Sequence, residues 1–217
     1  MSINFHYLLK YVIIGDSGVG KSNILLRYIN NTFSEEFKTT VGVEFGAKNI
    51  EINKNIYRIQ IWDTAGQENF RSIARAYYKN SVCACIVYDI TNQSSFKSIQ
   101  SWIDDCTKQT PKSVLLLLIG NKNDLKDMRE VSYEEGERFA KSHNMIFLET
   151  SAKTGDNINE IFVKSVQQID ININNKVYDL ENEGCGIRQG MKKESFVLTG
   201  DDIVKNKKKK KNVANKI

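Results

Sequence analysis

The strongest chemical signal in the sequence is a glycine-rich stretch at residues 15–22. It reads Gly-Asp-Ser-Gly-Val-Gly-Lys-Ser and therefore ends on a lysine and a hydroxyl. Glycines allow successive backbone N–H groups to point at one anion, and a following helix presents its positive end to the same anion. Lys21 offers a cation to the outer phosphates, and the Ser22 hydroxyl can ligate Mg²⁺. The pattern predicts a triphosphate site, although a chance glycine-rich turn arises in roughly one in a hundred chains of this length.

Two later segments bear on the base that the triphosphate carries. Asn121-Lys-Asn-Asp124 follows one apolar run, and Ser151-Ala-Lys153 follows the next. The Asp124 carboxylate can accept two hydrogen bonds, from the ring N–H and the exocyclic amine of guanine, and adenine does not offer that pair of donors. Each segment alone is compatible with an ordinary polar turn. Together, beyond a phosphate loop, they predict that the base is guanine.

A third element, Asp63-Thr-Ala-Gly66-Gln67, follows a predicted strand. An aspartate at a strand end can hold Mg²⁺ through a bound water. Gly66 has no side chain, so its backbone N–H can approach a terminal phosphate closely. Gln67 can orient an attacking water because its amide both donates and accepts. The alternative interpretation is a turn that starts a helix.

These residues require strands and helices to position them. Apolar or alternating runs predict strands, and apolar residues at helical spacing predict helices. The predicted strands are 7–14, 43–52, 56–62, 82–88, 114–119 and 145–148, the second and third forming a hairpin, and a helix is predicted at 21–30. Strands that alternate with helices favour an α/β fold, in which a parallel sheet is covered by helices on both faces.

Taken together, these motifs resemble those of the Ras superfamily of small GTPases in order and spacing. The resemblance covers about residues 7–172. Within the superfamily the chain is most similar to the Rab family, and in particular to Rabs of the secretory and endosomal pathways, through segments 41–46, 58–62, 69–73, 77–78 and 86–91. The resemblance implies a P-loop GTPase domain built on a mostly parallel six-stranded sheet with helices on both faces.

The resemblance also implies roles for individual residues. Gln67 and Lys21 are implied as catalytic residues. Phe45, Trp62 and Tyr77 fall where Rab proteins keep an aromatic triad that effectors contact, although aromatic residues at strand ends are also typical of a core. The implied Mg²⁺ ligands are Ser22, Thr40 and Asp63. The implied contacts with GTP or GDP are Asp16, Ser17, Gly18, Val19, Gly20, Lys21, Ser22, Asn23, Phe33, Thr40, Gly66, Asn121, Lys122, Asp124, Leu125, Ser151, Ala152 and Lys153.

The activity implied is slow hydrolysis of GTP to GDP and phosphate with Mg²⁺. No arginine in the switch segments is evident that would face the phosphates, so the intrinsic rate is expected to be on the order of 10⁻⁴ s⁻¹. The expected partners are a guanine-nucleotide exchange factor, a GTPase-activating protein and effectors that bind the GTP form, in vesicle trafficking. We expect a monomer in the cytoplasm, peripherally attached to the cytosolic face of Golgi or endosomal membranes.

Charge divides the chain into two parts. Residues 173–217 hold eleven Lys or Arg and six Asp or Glu, which leaves 20 of the 31 basic and 20 of the 26 acidic residues in 1–172. The neutral body argues against a nucleic-acid-binding face. We therefore expect a GTPase domain at 1–173 and a hypervariable, disordered basic tail at 174–217, which includes the lysine run 207–211.

The tail departs from the Rab pattern because the sequence ends Val-Ala-Asn-Lys-Ile and its last cysteine is Cys185. A terminal prenylation motif is therefore not visible. The lysine run is compatible with weak contact with anionic lipid, a nuclear-import signal or a solvated charged tail, and Cys185 with palmitoylation. A second hypothesis follows: a nucleotide-gated binding module that does not cycle on membranes. A phosphate-loop kinase is a weaker third, since Asp124 points to guanine.

Other residue types add little chemistry. The four cysteines lack disulfide or zinc spacing, and two histidines are too few for a metal site or a triad. The short apolar N-terminal stretch is interrupted by Lys10, unlike a secretory signal. Apolar runs stay below the ~20 residues of a membrane-spanning helix. Reduced thiols in the cytosol are expected.

Overall fold

Strands and helices alternate along most of the chain, as the sequence predicts. The computed structural model describes residues 5–36, 40, 42–67 and 71–190. Residues 41 and 68–70 and the predicted tail from residue 191 onward, which includes the lysine run at 207–211, lie outside the described residues. The strands are β1 (Tyr7–Ile14), β2 (Val43–Ile52), β3 (Asn55–Thr64), β4 (Cys83–Asp89), β5 (Leu115–Asn121), β6 (Ile146–Glu149) and β7 (Ile187–Gln189).

The helices fill the connections between strands and begin where capping residues allow. The α-helices are α1 (Lys21–Asn30), α2 (Arg71–Tyr78), α3 (Gln93–Lys97), α4 (Ile99–Thr107), α5 (Tyr133–Ser142) and α6 (Ile158–Asn174). Among the described residues, 3₁₀ helices lie at Asn123–Met128 and Glu183–Cys185. At the start of α5, Ser132 and Glu135 form a reciprocal capping box. At the start of α3, Asn92 accepts hydrogen bonds from two backbone N–H groups.

One mixed sheet organises the molecule, in the order β2-β3-β1-β4-β5-β6. Pairs β1·β3, β1·β4, β4·β5 and β5·β6 are parallel, and β2·β3 is an antiparallel hairpin. β4 is buried along its whole length, as a central parallel strand should be. The mostly parallel α/β fold is therefore confirmed.

Each face of the sheet is covered by its own apolar core. On one face, alternate residues of β1 such as Leu9, Tyr11 and Ile13 pack with α1 and α6 in a core that includes Phe162. On the other face, Val12 and Ile14 join a core that contains Trp102. Because successive side chains of β1 point to opposite faces of the sheet, this strand contributes residues to both cores. The carboxyl ends of the parallel strands are left open at one edge.

The sheet has seven strands rather than the six expected. β7 pairs antiparallel with the first half of β1, with Leu9 opposite Ile187 and Tyr7 opposite Gln189. β4 pairs with the second half of β1, from Tyr11 onward, so β7 occupies the same side of β1 as β4. The added strand satisfies backbone groups of β1 that β4 does not reach.

The prediction of a disordered tail from residue 174 is wrong for residues 174–190, since Asn174 is the last residue of α6. Tyr178, Cys185 and Ile187 are buried in the core beneath α6. Gly186 makes the turn into β7 with φ near +80°, and an added Cβ would lie 2.4 Å from the backbone nitrogen of Val82. Burial of a few apolar side chains and the free side of β1 order this segment despite its polar composition.

Within residues 5–36, 40, 42–67 and 71–190, none of the helices is both long and apolar enough to cross a bilayer.

Candidate functional site

The open edge of the sheet holds a cavity of about 400 Å³. The loops after β1, β5 and β6 form most of its wall, because the carboxyl ends of these parallel strands meet there. Fifteen residues line it: Gly18, Gly20, Lys21, Ser22, Asn23, Phe33, Ser34, Glu35, Glu36, Asn121, Lys122, Asp124, Leu125, Ala152 and Lys153. Most of these lining residues are ones that the sequence predicts as nucleotide contacts.

The glycine-rich loop leads directly into α1. Gly20 adopts a left-handed conformation, and the N-terminus of α1 has no side-chain cap. Uncapped N–H groups at a helix start are donors that a phosphate can accept from, and the helix dipole favours the same charge. The start of α1 therefore has the geometry of an anion site.

Lys21 lies on the floor of the cavity and is 5% exposed. Its Nζ donates to the carbonyl oxygens of Gly15, at 2.9 Å, and Asp16, at 2.8 Å. Burial lowers the pKa of Lys21 to about 8, while the nearby charges of Asp63 and Asp16 act in the opposite direction. A buried ammonium held mainly by neutral carbonyls is stabilised by an anion.

Ser22, Thr40 and Asp63 converge beside Lys21 although they come from three separate segments. The Ser22 Oγ lies 2.7 Å from the Thr40 Oγ1 and donates to the Asp63 Oδ2 at 2.5 Å. The second carboxylate oxygen of Asp63 is buried and has no hydrogen-bond partner within the described part of the chain. Two hydroxyls and a carboxylate with an unused oxygen are hard oxygen ligands, which fit Mg²⁺.

The electrostatics of Asp63 agree with that fit. Burial raises the pKa of Asp63 to about 6, against the lowering effects of the Ser22 hydrogen bond and of Lys21. The carboxylate is therefore destabilised in its charged form, and a divalent cation would supply the missing countercharge.

The segments that follow β5 and β6 are joined to the phosphate loop by hydrogen bonds. The Asn121 side chain donates to the Val19 carbonyl at 2.8 Å and accepts from the backbone N–H of Ala152 at 3.2 Å. Asn121 thus links the loops after β1, β5 and β6. The Ser151 hydroxyl donates to Asp124 Oδ1 at 2.6 Å, which holds that carboxylate at the cavity. The Lys122 ammonium pairs with Asp89 at 2.6 Å, beneath the same loop.

Some predicted contacts do not line the cavity. Asp16 turns its carboxylate to the Trp102 indole N–H, which donates to it at 2.7 Å. Val19 is 1% exposed and packs in the core, so it can offer only backbone groups. Ser17, Ser151 and Thr40 are also absent from the lining, although Ser151 and Thr40 bond to residues that belong to the site.

Gly66 and Gln67 differ in their relation to the cavity. An added Cβ at Gly66 would lie 2.5 Å from the Lys21 Nζ and 2.6 Å from the Asp16 carbonyl carbon, so only glycine fits this approach. Gln67 is exposed and does not line the cavity. The structure thus places Gly66 beside the phosphate loop and leaves the Gln67 side chain in solvent.

Sequence reasoning missed several residues of this site. Arg27 of α1 donates from Nε to the Ala152 carbonyl at 2.9 Å and from a terminal nitrogen to the Lys153 carbonyl at 2.6 Å. Ser34 exchanges two hydrogen bonds with the side chain of Asn23 and brings the segment after α1 to the cavity wall. The partners of Arg27 lie 125 and 126 positions away, and Asn23 lies 11 positions from Ser34. No local motif could therefore reveal these contacts.

The three aromatic residues of the predicted effector triad meet at the surface. The ring centroids of Phe45 and Trp62 are 4.9 Å apart, and those of Trp62 and Tyr77 are 5.2 Å apart. Phe45 is 51% exposed, so the cluster is not a buried core. We call these three rings the aromatic surface.

The family model described as the Ras family matches residues 10–171 of the chain. The match spans the cavity and the strands and helices that surround it.

Proposed function

Because the chain belongs to the Ras family of small GTPases, we propose that it is a Rab-like switch that recruits effector proteins when GTP is bound. The meeting of Thr40 with Ser22 and Asp63 carries this proposal. Thr40 belongs to the segment between α1 and β2, while Ser22 and Asp63 lie at the phosphate end of the site. A ligand that holds these three oxygens together also fixes the position of that segment.

The proposed reaction is attack of water on the γ-phosphorus of GTP. The new bond joins the water oxygen to phosphorus, the bond from phosphorus to the β–γ bridging oxygen breaks, and the water protons pass to the products. Lys21 donates to the phosphate oxygens on which charge develops, and the α1 N-terminus binds them through backbone N–H groups. Mg²⁺ held by Ser22, Thr40 and Asp63 would neutralise charge on the outer phosphates. Gln67 would orient the water through its amide.

The arrangement of the cavity residues leads us to expect slow hydrolysis of GTP. The described residues that line the cavity include no arginine. The side chain of Gln67 is in solvent, so it must be brought to the attacking water. We therefore expect an intrinsic rate on the order of 10⁻⁴ s⁻¹, which a GTPase-activating protein would raise, and nucleotide release that an exchange factor accelerates.

The proposed output is a change of surface. Thr40 and Gly66 would contact the γ-phosphate only before hydrolysis. Loss of this phosphate would therefore release the segment before β2, which holds Thr40, and the segment after β3, which holds Gly66. The aromatic surface spans β2, β3 and α2 and is therefore exposed to that change. The similarity to secretory and endosomal Rabs supports a role in vesicle trafficking, in the cytoplasm and on the cytosolic face of Golgi or endosomal membranes, with the basic tail as a peripheral membrane contact.

One observation favours the second candidate, a nucleotide-gated binding module that does not cycle on membranes. Cys185 is only 6% exposed and its thiol donates to the Ile187 carbonyl. A lipid on that sulfur would require β7 to separate from the sheet. Cell fractionation distinguishes the two candidates: recovery in the soluble fraction in both nucleotide states favours the module, and GTP-dependent recovery with membranes favours the switch that cycles.

Single-turnover hydrolysis tests the proposed mechanism. Gln67→Leu removes the amide while keeping a side chain of similar size, and we expect the rate to fall roughly tenfold or more. Gln109→Leu, at an exposed glutamine after α4, is the matched control and should hydrolyse GTP like the unmodified protein. Equal rates for Gln67→Leu and the unmodified protein would show that Gln67 does not act on the water.

A further inference from the structure

A second pocket lies on the sheet face that carries the aromatic surface, at the junction of β1, β3 and β7. Its volume is about 250 Å³, and Leu8, Lys10, Gln60, Trp62 and Arg188 contribute to its lining. Leu8 is opposite Arg188 in the β1·β7 pairing, and Lys10 is opposite Gln60 in the β1·β3 pairing. Without β7, one wall of this pocket would be missing.

Two cations of the pocket lack an anionic partner among the residues that the structure describes. The described part of the chain contains no ion pair that involves Lys10 or Arg188. Lys10 donates instead to the Lys79 carbonyl at 2.6 Å, and Arg188 is exposed. Burial and the nearby Arg188 guanidinium lower the pKa of Lys10, so the two positive charges act on each other. An anion in the pocket would relieve that repulsion.

A third donor borders the same pocket. The indole N–H of Trp62 is buried, and none of the residues that the structure describes accepts a hydrogen bond from it. A buried donor without a partner costs free energy, which a bound acceptor would recover. An ammonium, a guanidinium and an indole N–H all donate, so the pocket selects a ligand that accepts.

We propose that this pocket binds the carboxylate of an aspartate or glutamate in an effector segment that also covers the aromatic surface. The inference rests on the proposed effector role of that surface. Trp62 joins the two places, because its ring contacts Phe45 and Tyr77 and also lines the pocket. The Arg188 guanidinium matches a carboxylate with two parallel hydrogen bonds, and Leu8 offers apolar contact to the stem of the acidic side chain.

Charge and shape favour an effector segment over two other occupants. Residues 191–217 of the chain itself carry nine lysines and three acidic residues, so this tail is repelled by Lys10 and Arg188. A lipid surface is broad and contacts projecting cations first, whereas Lys10 is half-buried within a pocket. A protein segment can lay a single carboxylate into the pocket and apolar side chains on the aromatic surface.

The test uses the full chain loaded with Mg²⁺ and a GTP analogue that cannot be hydrolysed. A phage-displayed library of random peptides is selected on it, and the affinities of the recovered peptides are measured by calorimetry. We expect peptides with an acidic residue beside apolar ones. Arg188→Ala and Lys10→Ala should each weaken binding by about 10- to 100-fold, and Arg138→Ala, at an exposed arginine of α5, should not.

Each result separates this inference from the function on which it rests. Peptides that bind the GDP form equally well would overturn the proposed switch. Peptides that prefer the GTP analogue but bind Arg188→Ala and Lys10→Ala normally would overturn only the pocket. Arg188 is exposed, so its variant tests the pocket even if Lys10→Ala folds poorly. If both variants instead lose binding to vesicles of anionic phospholipid and keep the peptides, the pocket serves a membrane and the inference is wrong.

Discussion

At the residue scale, Asp124 shows how one contact prepares a side chain for a ligand. The Ser151 hydroxyl donates to one carboxylate oxygen at 2.6 Å and so restricts the carboxylate at the cavity wall. The acceptor positions that remain can meet the two adjacent donors of guanine. An amide in this place would present a donor where guanine also presents one.

We therefore predict that Asp124→Asn weakens GDP binding on the order of 100-fold, because two charge-assisted hydrogen bonds are lost. Displacement of a fluorescent GDP analogue measures the affinity. Asp127→Asn, at an exposed aspartate three residues later, is the matched control and should bind normally. A normal affinity for Asp124→Asn would mean that other residues select the base.

The chemical role of a residue could be predicted from the sequence where the residues that share this role are neighbours in the chain. The phosphate loop, with Lys21 and Ser22, is a continuous stretch whose function follows from its own residues. The Asp16 carboxylate was not predictable, because its partner is Trp102, 86 positions away. The exposed position of Gln67 was also hidden from the sequence, since a motif specifies a residue type but not a rotamer.

At the scale of elements, α1 does more than end the phosphate loop. Its residue Arg27 donates to the carbonyls of Ala152 and Lys153 and, at 2.9 Å, to that of Asn31. The helix thereby fixes the loop after β6, whose Ala152 lines the cavity beside the expected position of the base. Arg27 is a positioning residue, because it acts through this loop.

We predict that Arg27→Met, which keeps the apolar stem and removes the donors, speeds GDP dissociation roughly tenfold. Release of a fluorescent GDP analogue into excess unlabelled GDP measures the rate. Arg138→Met, at an exposed arginine of α5, should leave it unchanged. A lower melting temperature with normal GDP release would assign Arg27 a role in stability alone.

Most strands and helices could be predicted from the pattern of apolar residues, because a long run with alternating or helical spacing is compatible with few other structures. β1 and α1 have the bounds that were predicted for them. β7 could not be predicted: three residues in a segment rich in Asn, Glu and Gly carry no readable period. Its existence depends on the free side of β1, which is a property of the assembled sheet.

At the scale of the whole molecule, the stability of the domain depends on residues beyond α6. Ile187 is 1% exposed, and we predict that Ile187→Ala costs about 2–4 kcal/mol of the free energy of unfolding. Urea denaturation measures the change. Val177→Ala, at a residue that is 52% exposed, is the matched control and should change stability by less than about 0.5 kcal/mol. Equal stabilities would show that β7 does not contribute to the folded domain.

The return of the chain along β1 also has a mechanical consequence. The backbone N–H of Gly190 donates to the His6 carbonyl at 2.8 Å, so the described body starts and finishes at neighbouring points. Force applied to residues beyond Gly190 would load the β7·β1 pairing at one end and open its hydrogen bonds one after another, as in a zipper. Three residue pairs would have to separate before β7 left β1, the strand that leads into the phosphate loop.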